Sequence, residues 1–150
     1  MVLGTRMAEA AMRCIAVLAV MLQCVSAAAD GPSTEARVIA CYDGDTCTLD
    51  HEILPGRDRV RVRGADAPEM KAHCAAEKRL ALAAKQFTSS RLVGHTVLLE
   101  DVREDKYPRR VDAYVTMPDG RDLGQALISA GLARPYDGGQ RQSWCADQWQ

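Results

Sequence analysis

Residues 61–69 read Arg61-Val62-Arg63-Gly64-Ala65-Asp66-Ala67-Pro68-Glu69, and the stretch changes character halfway along. Val60 and Val62 alternate with Arg61 and Arg63, the two-residue period of a half-buried strand. Gly64 and Pro68 then end the ladder, because glycine loosens a strand and proline cannot donate to it. Two arginines, an aspartate and a glutamate are thereby gathered at the rim of a sheet. Carboxylates so placed hold a divalent cation or activate a water, and guanidinium groups clamp a phosphate. Taken alone, the stretch reads more simply as a strand with solvated arginines and a polar turn. The surrounding chain decides between the two.

Towards the N-terminus, Ala36 to Tyr42 is a first strand. Asp43-Gly44 follows as a two-residue hairpin signal of type I′, a turn that needs positive φ at both positions. Asp45 to Asp50 returns, a polar loop passes Pro55-Gly56, and Arg59 to Arg63 completes a three-stranded meander. Towards the C-terminus the period changes. Ala75 to Leu92 predicts a helix with Ala76, Leu80, Ala83, Ala84 and Phe87 on its buried face, stopped at Gly94. Thr96 to Val102 is nearly all apolar and predicts a central fourth strand. A charged loop, Arg103 to Arg109, leads to a fifth strand, Arg110 to Thr116. Asp122 caps a short second helix, with Gln125 at the capping-box position and Gly131 past its end. The tail from Leu132 to Gln150 has no clear period.

Three strands, a helix, two strands and a helix is the order of a five-stranded Greek-key barrel of the OB type, an α+β barrel that presents a groove to nucleic acids or sugars. One Phe and two Trp do not make a broad stacking platform. Tyr42, Tyr107 and Tyr136 all lie beside polar loops.

The first 29 residues have the pattern of a secretory signal peptide. Arg6 and Arg13 flank an apolar run, Ile15 to Leu22, and Ser26-Ala27-Ala28-Ala29 supplies the small residues of a cleavage site. Cleavage after Ala29, or after Ala27, leaves residues 30–150 as one domain in the periplasm or the medium, with no membrane contact. If the segment is retained, the protein is membrane-tethered. Cleavage removes Arg6, Arg13 and Glu9, which moves the net charge from −1 to −2. That is not the basic footprint of a passive nucleic-acid binder, so any grip on a polyanion is local or supplied by a bound cation. Four cysteines remain: Cys41, Cys47, Cys74 and Cys145. In an oxidising compartment an even count reads first as disulfides, with three pairings open. Cys41 and Cys47 flank the tight turn, and pairing them leaves Cys74 with Cys145. Zinc on cysteines with His51 or His73 is the alternative, although no C-x-x-C pair exists.

Asp43-Gly44-Asp45-Thr46 fails as a calcium loop of EF-hand type, since Cys47, Thr48 and Leu54 stand where an oxygen ligand, glycine and glutamate are required. Adjacent antiparallel strands do, however, bring Asp45 and Asp66 to one end of the barrel, where two carboxylates, a carbonyl and waters suit a hard cation. Five segments in this order, Asp43-Gly44-Asp45-Thr46, Val60 to Glu69, Asp105-Lys106-Tyr107, Asp119-Gly120, and Ala126-Leu127 with Gly131-Leu132-Ala133, resemble the staphylococcal nuclease family over roughly residues 36–136.

The resemblance implies a calcium-dependent phosphodiesterase on an OB barrel with a shortened C-terminal region. It would act on DNA and RNA by water attack and leave 3′-phosphate ends. Asp45 and Asp66 resemble the Ca²⁺ carboxylates, with a backbone carbonyl from Ala67. Glu69 resembles the general base or orienter of water, and Arg61 the first phosphate-clamping arginine. Where the family has Lys-Tyr-Gly-Arg, sometimes with two glycines, this chain has Lys106-Tyr107-Pro108-Arg109-Arg110. The two-glycine form makes Arg110 the second catalytic arginine, and the one-glycine form makes it Arg109. Pro108 fixes φ where the family has glycine, so the loop is expected to aim its arginine differently. Lys106, Tyr107 and Tyr136 resemble substrate-contacting positions. A nucleic acid is the expected partner of a monomer. The competing expectation is a non-catalytic OB module that binds nucleic acid or another anion.

Overall fold

The computed structural model describes residues 32–145; the leader segment read at 1–29 lies outside the described residues. The elements are β1 (Thr34–Cys41), β2 (Thr46–Leu49), β3 (Arg59–Val62), β4 (Gly64–Asp66), α1 (Ala75–Leu92), β5 (Thr96–Glu104), β6 (Arg110–Thr116), α2 (Leu123–Ser129) and β7 (Arg134–Tyr136). Five strands close a barrel in the order β1-β2-β3-β6-β5, and β4 pairs with β7 beside it. Within the barrel, β3 and β6 run parallel and the other neighbours antiparallel. A parallel pair needs a long crossover, and here α1 and β5 lie on it. This is the α+β barrel of OB type that the element order predicts.

Alternation fills the interior. On β6, Val111, Ala113 and Val115 are buried and Tyr114 between them is exposed. Val38, Val60, Val62, Val97, Leu99 and Leu127 join one core. Each such fully buried side chain contributes about 1.5–3 kcal/mol by area removed from water. On β3 the alternation breaks, because Val60, Arg61 and Val62 are all buried. The outer side of this strand is therefore not a solvent face.

Four sequence expectations change. The β1–β2 connection is not a type I′ hairpin: neither Asp43 nor Gly44 takes a positive φ. The loop spans residues 42–45 and is closed by Tyr42 N–H donating to the Thr46 carbonyl at 2.9 Å. Gly44 is required instead by close approach, since a Cβ there would lie 2.7 Å from the Cβ of Ala84 and 3.0 Å from that of Ala67. Helix α1 has the predicted ends, but its buried residues are Glu77, Ala81, Ala84, Thr88 and Leu92. Alanine recurs all round this helix, so apolar spacing does not fix its face. Two polar residues do: Thr88 Oγ1 donates to the Gly44 carbonyl at 2.7 Å, and Glu77 accepts from His73 N–H at 2.8 Å. β5 is not buried on both sides, because only Val97 and Leu99 are fully enclosed. In a closed barrel every strand has two neighbours, so centrality needs no apolar run. The tail, finally, contains β7, whose Arg134-Pro135-Tyr136 shows no alternation that would mark a strand.

Both disulfides form, Cys41–Cys47 across paired positions of β1 and β2, and Cys74–Cys145. The second joins the N-cap of α1, where Cys74 Sγ accepts from Glu77 N–H, to the end of the described tail. The sulfurs are thus occupied with each other and not with a metal.

Candidate active site

One mouth of the barrel collects charged groups from four segments near its acidic centre. The β1–β2 loop brings Asp43 and Asp45, β3 brings Arg61, β4 ends at Asp66, and Ala67 to Glu69 follow. Asp45 is pinned from both sides: its carbonyl accepts from Val62 N–H at 2.8 Å, and its Oδ2 accepts from Ala67 N–H at 2.9 Å. Its Oδ1 accepts from Thr46 Oγ1 at 3.1 Å, and Asp43 Oδ1 accepts from Asp45 N–H at 3.1 Å. Asp43, Asp45, Asp66 and Arg61 are each no more than 6% exposed.

Two of the buried carboxylates, Asp45 and Asp66, face one buried guanidinium, and Asp43 lies beside Asp45. Arg61 Nη2 sits 3.5 Å from Asp45 Oδ2 and 3.4 Å from Asp66 Oδ1. Burial, reinforced by the charges of Asp45 and Glu69, pushes Asp43 up to about 7. Burial also raises Asp66, partly offset by the guanidinium of Arg141. Hard oxygen donors of this kind are the ligand type that a divalent cation takes. Among the described residues, no three of these carboxylates converge to ligand spacing. Arg61 stands between Asp45 and Asp66, and Arg141 stands between Asp66 and Glu69.

The structure brings most of the sequence-derived residues together. Arg61, Glu69, Tyr107 and Arg110 line one depression beside Asp43. Arg61, Lys106, Tyr107, Arg110 and Tyr136 line an adjoining groove of about 800 Å³. Arg61 lies 5.5 Å over the Tyr136 ring and Arg110 lies 4.6 Å over that of Tyr107. Ala67 is positioned through its backbone, as a side chain without donors must be. Arg109 is the residue left out. It turns to Asp58 on the outside of the barrel, whose carboxyl it holds below the usual range. Arg109 takes a φ of 64°, directly after Pro108. The chain thus turns between these two residues and delivers Arg110, not Arg109, to the mouth.

Two residues escaped the sequence reading. Arg57 organises the charged loop: its Nη1 donates to the carbonyls of Asp105, Tyr107 and Arg110 at 2.7–3.1 Å. Arg110 Nε in turn donates to Asp105 Oδ2 at 2.8 Å. Burial opposes ionisation of Asp105, but the hydrogen bonds from Arg110 and from Tyr107 N–H outweigh it and hold the carboxyl below its usual value. Arg141, from the aperiodic tail, reaches Asp66 Oδ1 with Nε at 3.0 Å and Glu69 with Nη1. The signal for it was indirect: Gly138-Gly139 permits a turn before it, and Cys145 anchors the chain after it.

A closed OB-type barrel thus gathers acidic groups, two inward arginines and two tyrosines at one mouth. The sequence pattern described as staphylococcal nuclease homologue matches residues 59–148. The chain belongs to this family. It is 36% identical over 132 residues to a thermonuclease of Staphylococcus intermedius, covering 80% of this chain and 74% of that protein. It is 31% identical over 103 residues to an uncharacterized endonuclease of Escherichia coli O157:H7, covering 67% of this chain and 60% of that one. A probable endonuclease of Schizosaccharomyces pombe is 34% identical over 84 residues, 53% of this chain and 36% of the relative. The chain therefore spans less than two thirds of the length of the Escherichia coli and fission-yeast relatives.

Proposed function

We propose that the protein is an exported, Ca²⁺-dependent phosphodiesterase that hydrolyses DNA, RNA or both and leaves 3′-phosphate ends. The observation that carries this reading is the placement of Arg61, Glu69 and Arg110 around one depression, beside buried carboxylates with excess negative charge. Arg61 and Arg110 grip the phosphate, because a planar guanidinium presents two donors to two oxygens and stays protonated. They also offset the charge that develops on the equatorial oxygens during attack. Glu69 accepts the proton of the attacking water or orients it. Asp45 and Asp66, with the Ala67 carbonyl, would hold the cation. When bound, it supplies Lewis-acid charge next to the phosphate. Lys106, Tyr107 and Tyr136 contact the neighbouring nucleotide. The relatives named nucleases and endonucleases support the reaction class, and the sequence of residues 1–29 supports export.

A second reading is a non-catalytic module that binds nucleic acid or another anion. It is favoured by the pairing of two proposed catalytic groups within the protein, Arg110 with Asp105 and Glu69 with Arg141. Release of acid-soluble nucleotides from denatured DNA separates the two readings, using the oxidised chain with calcium, magnesium or chelator. Calcium-dependent release that is lost in Glu69→Ala supports the enzyme. A folded protein that binds DNA without releasing nucleotides under any of the three conditions selects the module.

A further inference from the structure

The last described segment is built as a strap across the mouth. β7 pairs with β4 through Gly64↔Tyr136, Ala65↔Pro135 and Asp66↔Arg134, so it is locked beside Asp66 itself. Tyr136 Oη donates to the Gly139 carbonyl at 2.9 Å and closes the turn that follows. Arg134 then holds the outgoing chain, donating to the Ser143 carbonyl at 2.9 Å with its guanidinium 3.9 Å from the Trp144 ring. Cys145 fastens the end to Cys74. The side chain that this strap aims inwards is Arg141, which is bound to Asp66 and Glu69 and faces the Tyr136 ring at 5.8 Å. Arg61 faces the same ring at 5.5 Å.

We propose that Arg141 is a positioning residue of this site: its guanidinium bridges Asp66 and Glu69, and the Cys74–Cys145 disulfide is the tether that keeps it there. The proposal rests on the nuclease reading for the consequence of that bridge, but not for the bridge itself. Glu69 is the least buried of the mouth carboxylates, with a side chain 45% exposed, and Arg141 is its only ion-pair partner among the described residues. A carboxylate on a loop with no such partner samples many rotamers, and a base that wanders by about 1 Å is slowed by up to about 10²-fold. Arg141 also places a positive charge 3.0 Å from Asp66, where it opposes a divalent cation. Removing it therefore has two effects of opposite sense: the cation binds more tightly, and the reaction slows. General loosening of the fold weakens both.

The test uses the full oxidised chain. For Arg141→Ala, calcium affinity by titration calorimetry is expected to rise about fivefold, the equivalent of one screened charge. Its kcat on denatured DNA is expected to fall about tenfold, with KM changed less than about twofold. Arg141→Lys, which keeps the charge but not the fork, recovers part of kcat. Cys74→Ser with Cys145→Ser leaves a capping acceptor on α1 and is expected to reproduce both changes. Arg141→Ala added to it then changes kcat less than about twofold further. Independent of metal and substrate, the melting temperatures of Arg141→Gln, Glu69→Gln and the double variant, taken in chelator, are expected to be non-additive by roughly 3 °C. Additive melting temperatures overturn the proposal, as does an Arg141→Ala protein with unchanged calcium affinity and kcat. Full additivity of the cysteine and arginine variants overturns the tether. Melting temperatures that couple in a wild-type protein without nuclease activity sink the nuclease reading and leave the bridge standing.

Discussion

Arg61 and Arg63 lie two residues apart at the end of one strand, and each stands between two aspartates. Arg63 spends all three of its guanidinium nitrogens. Nε reaches Asp112 Oδ2 at 2.9 Å, Nη1 reaches Asp101 Oδ2 at 2.5 Å, and Nη2 reaches the Asp112 carbonyl at 3.0 Å. It thereby ties the end of β3 to both β5 and β6. Arg61 spends one. Its contacts to the Ala65 carbonyl, Asp66 and Asp45 all come from Nη2, at 3.3–3.5 Å. Composition and spacing treat these residues alike. What separates a strut from a working group is whether its donors are used up by the fold.

The sharpest way to break this contrast is to truncate each arginine. Arg61→Ala is expected to lose about 10²–10³ in kcat per folded molecule, the usual cost of one donor to a developing oxyanion, and also to lose stability because buried Asp45 and Asp66 are deprived of this partner, while circular dichroism stays native. Full activity would reduce Arg61 to a second strut. Arg63→Ala is expected to lose about 2 kcal/mol of stability in urea, because partly buried Asp112 loses its only ion-pair partner among the described residues, while Asp101 keeps the exposed Arg103. Activity per folded molecule should stay within a few-fold. Gly44→Ala probes the loop that carries Asp43 and Asp45, which Arg61 touches and Arg63 does not. The added methyl meets Ala84 at 2.7 Å, and overpacking of this kind costs about 1–3 kcal/mol.

Two smaller effects sharpen the picture at the charged loop. The folded-state pKa of Asp105 lies below its ordinary 3.8, so its pair with Arg110 adds stability above that pH and loses it as the pH falls further. Asp105→Asn should therefore lower the melting temperature by a few degrees at pH 7 and by little near pH 2. Arg109→Gly is the mildest change. It removes an exposed pair with Asp58 but relieves a left-handed residue, and the melting temperature is expected to change little. Activity that falls as far in Arg109→Gly as in Arg110→Ala would reverse the placement of these two arginines.

The barrel was legible because its signals are local. Hydrophobic alternation, the change of period at Ala75, and glycines just past two helices mark elements without reference to partners. Both helices and the strand beginning at Arg110 come out at their predicted starts. The mouth was legible where motif order carried it, through Asp45, Arg61, Asp66 and Glu69. The rest depends on contacts between distant segments. The face of α1 is chosen by a threonine that meets a loop carbonyl 44 residues away. β7 is a strand only because β4 offers an edge. Arg141 has no local pattern at all; it is placed by a turn, a strand pair and a disulfide acting together.

The same disulfide bears on durability in protease-rich surroundings. It encloses residues 74–145 in a covalent ring, and within that ring Lys106 and the exposed Tyr107 form an open loop tip of the kind proteases cut first. One cut there leaves Arg61 and Glu69 on one fragment and Arg110 on the other, yet the fragments stay linked. The nicked chain would migrate as a single species without reductant and as two with it, and β3–β6 pairing would still hold the halves in register. A molecule put together this way tolerates a first wound to this loop.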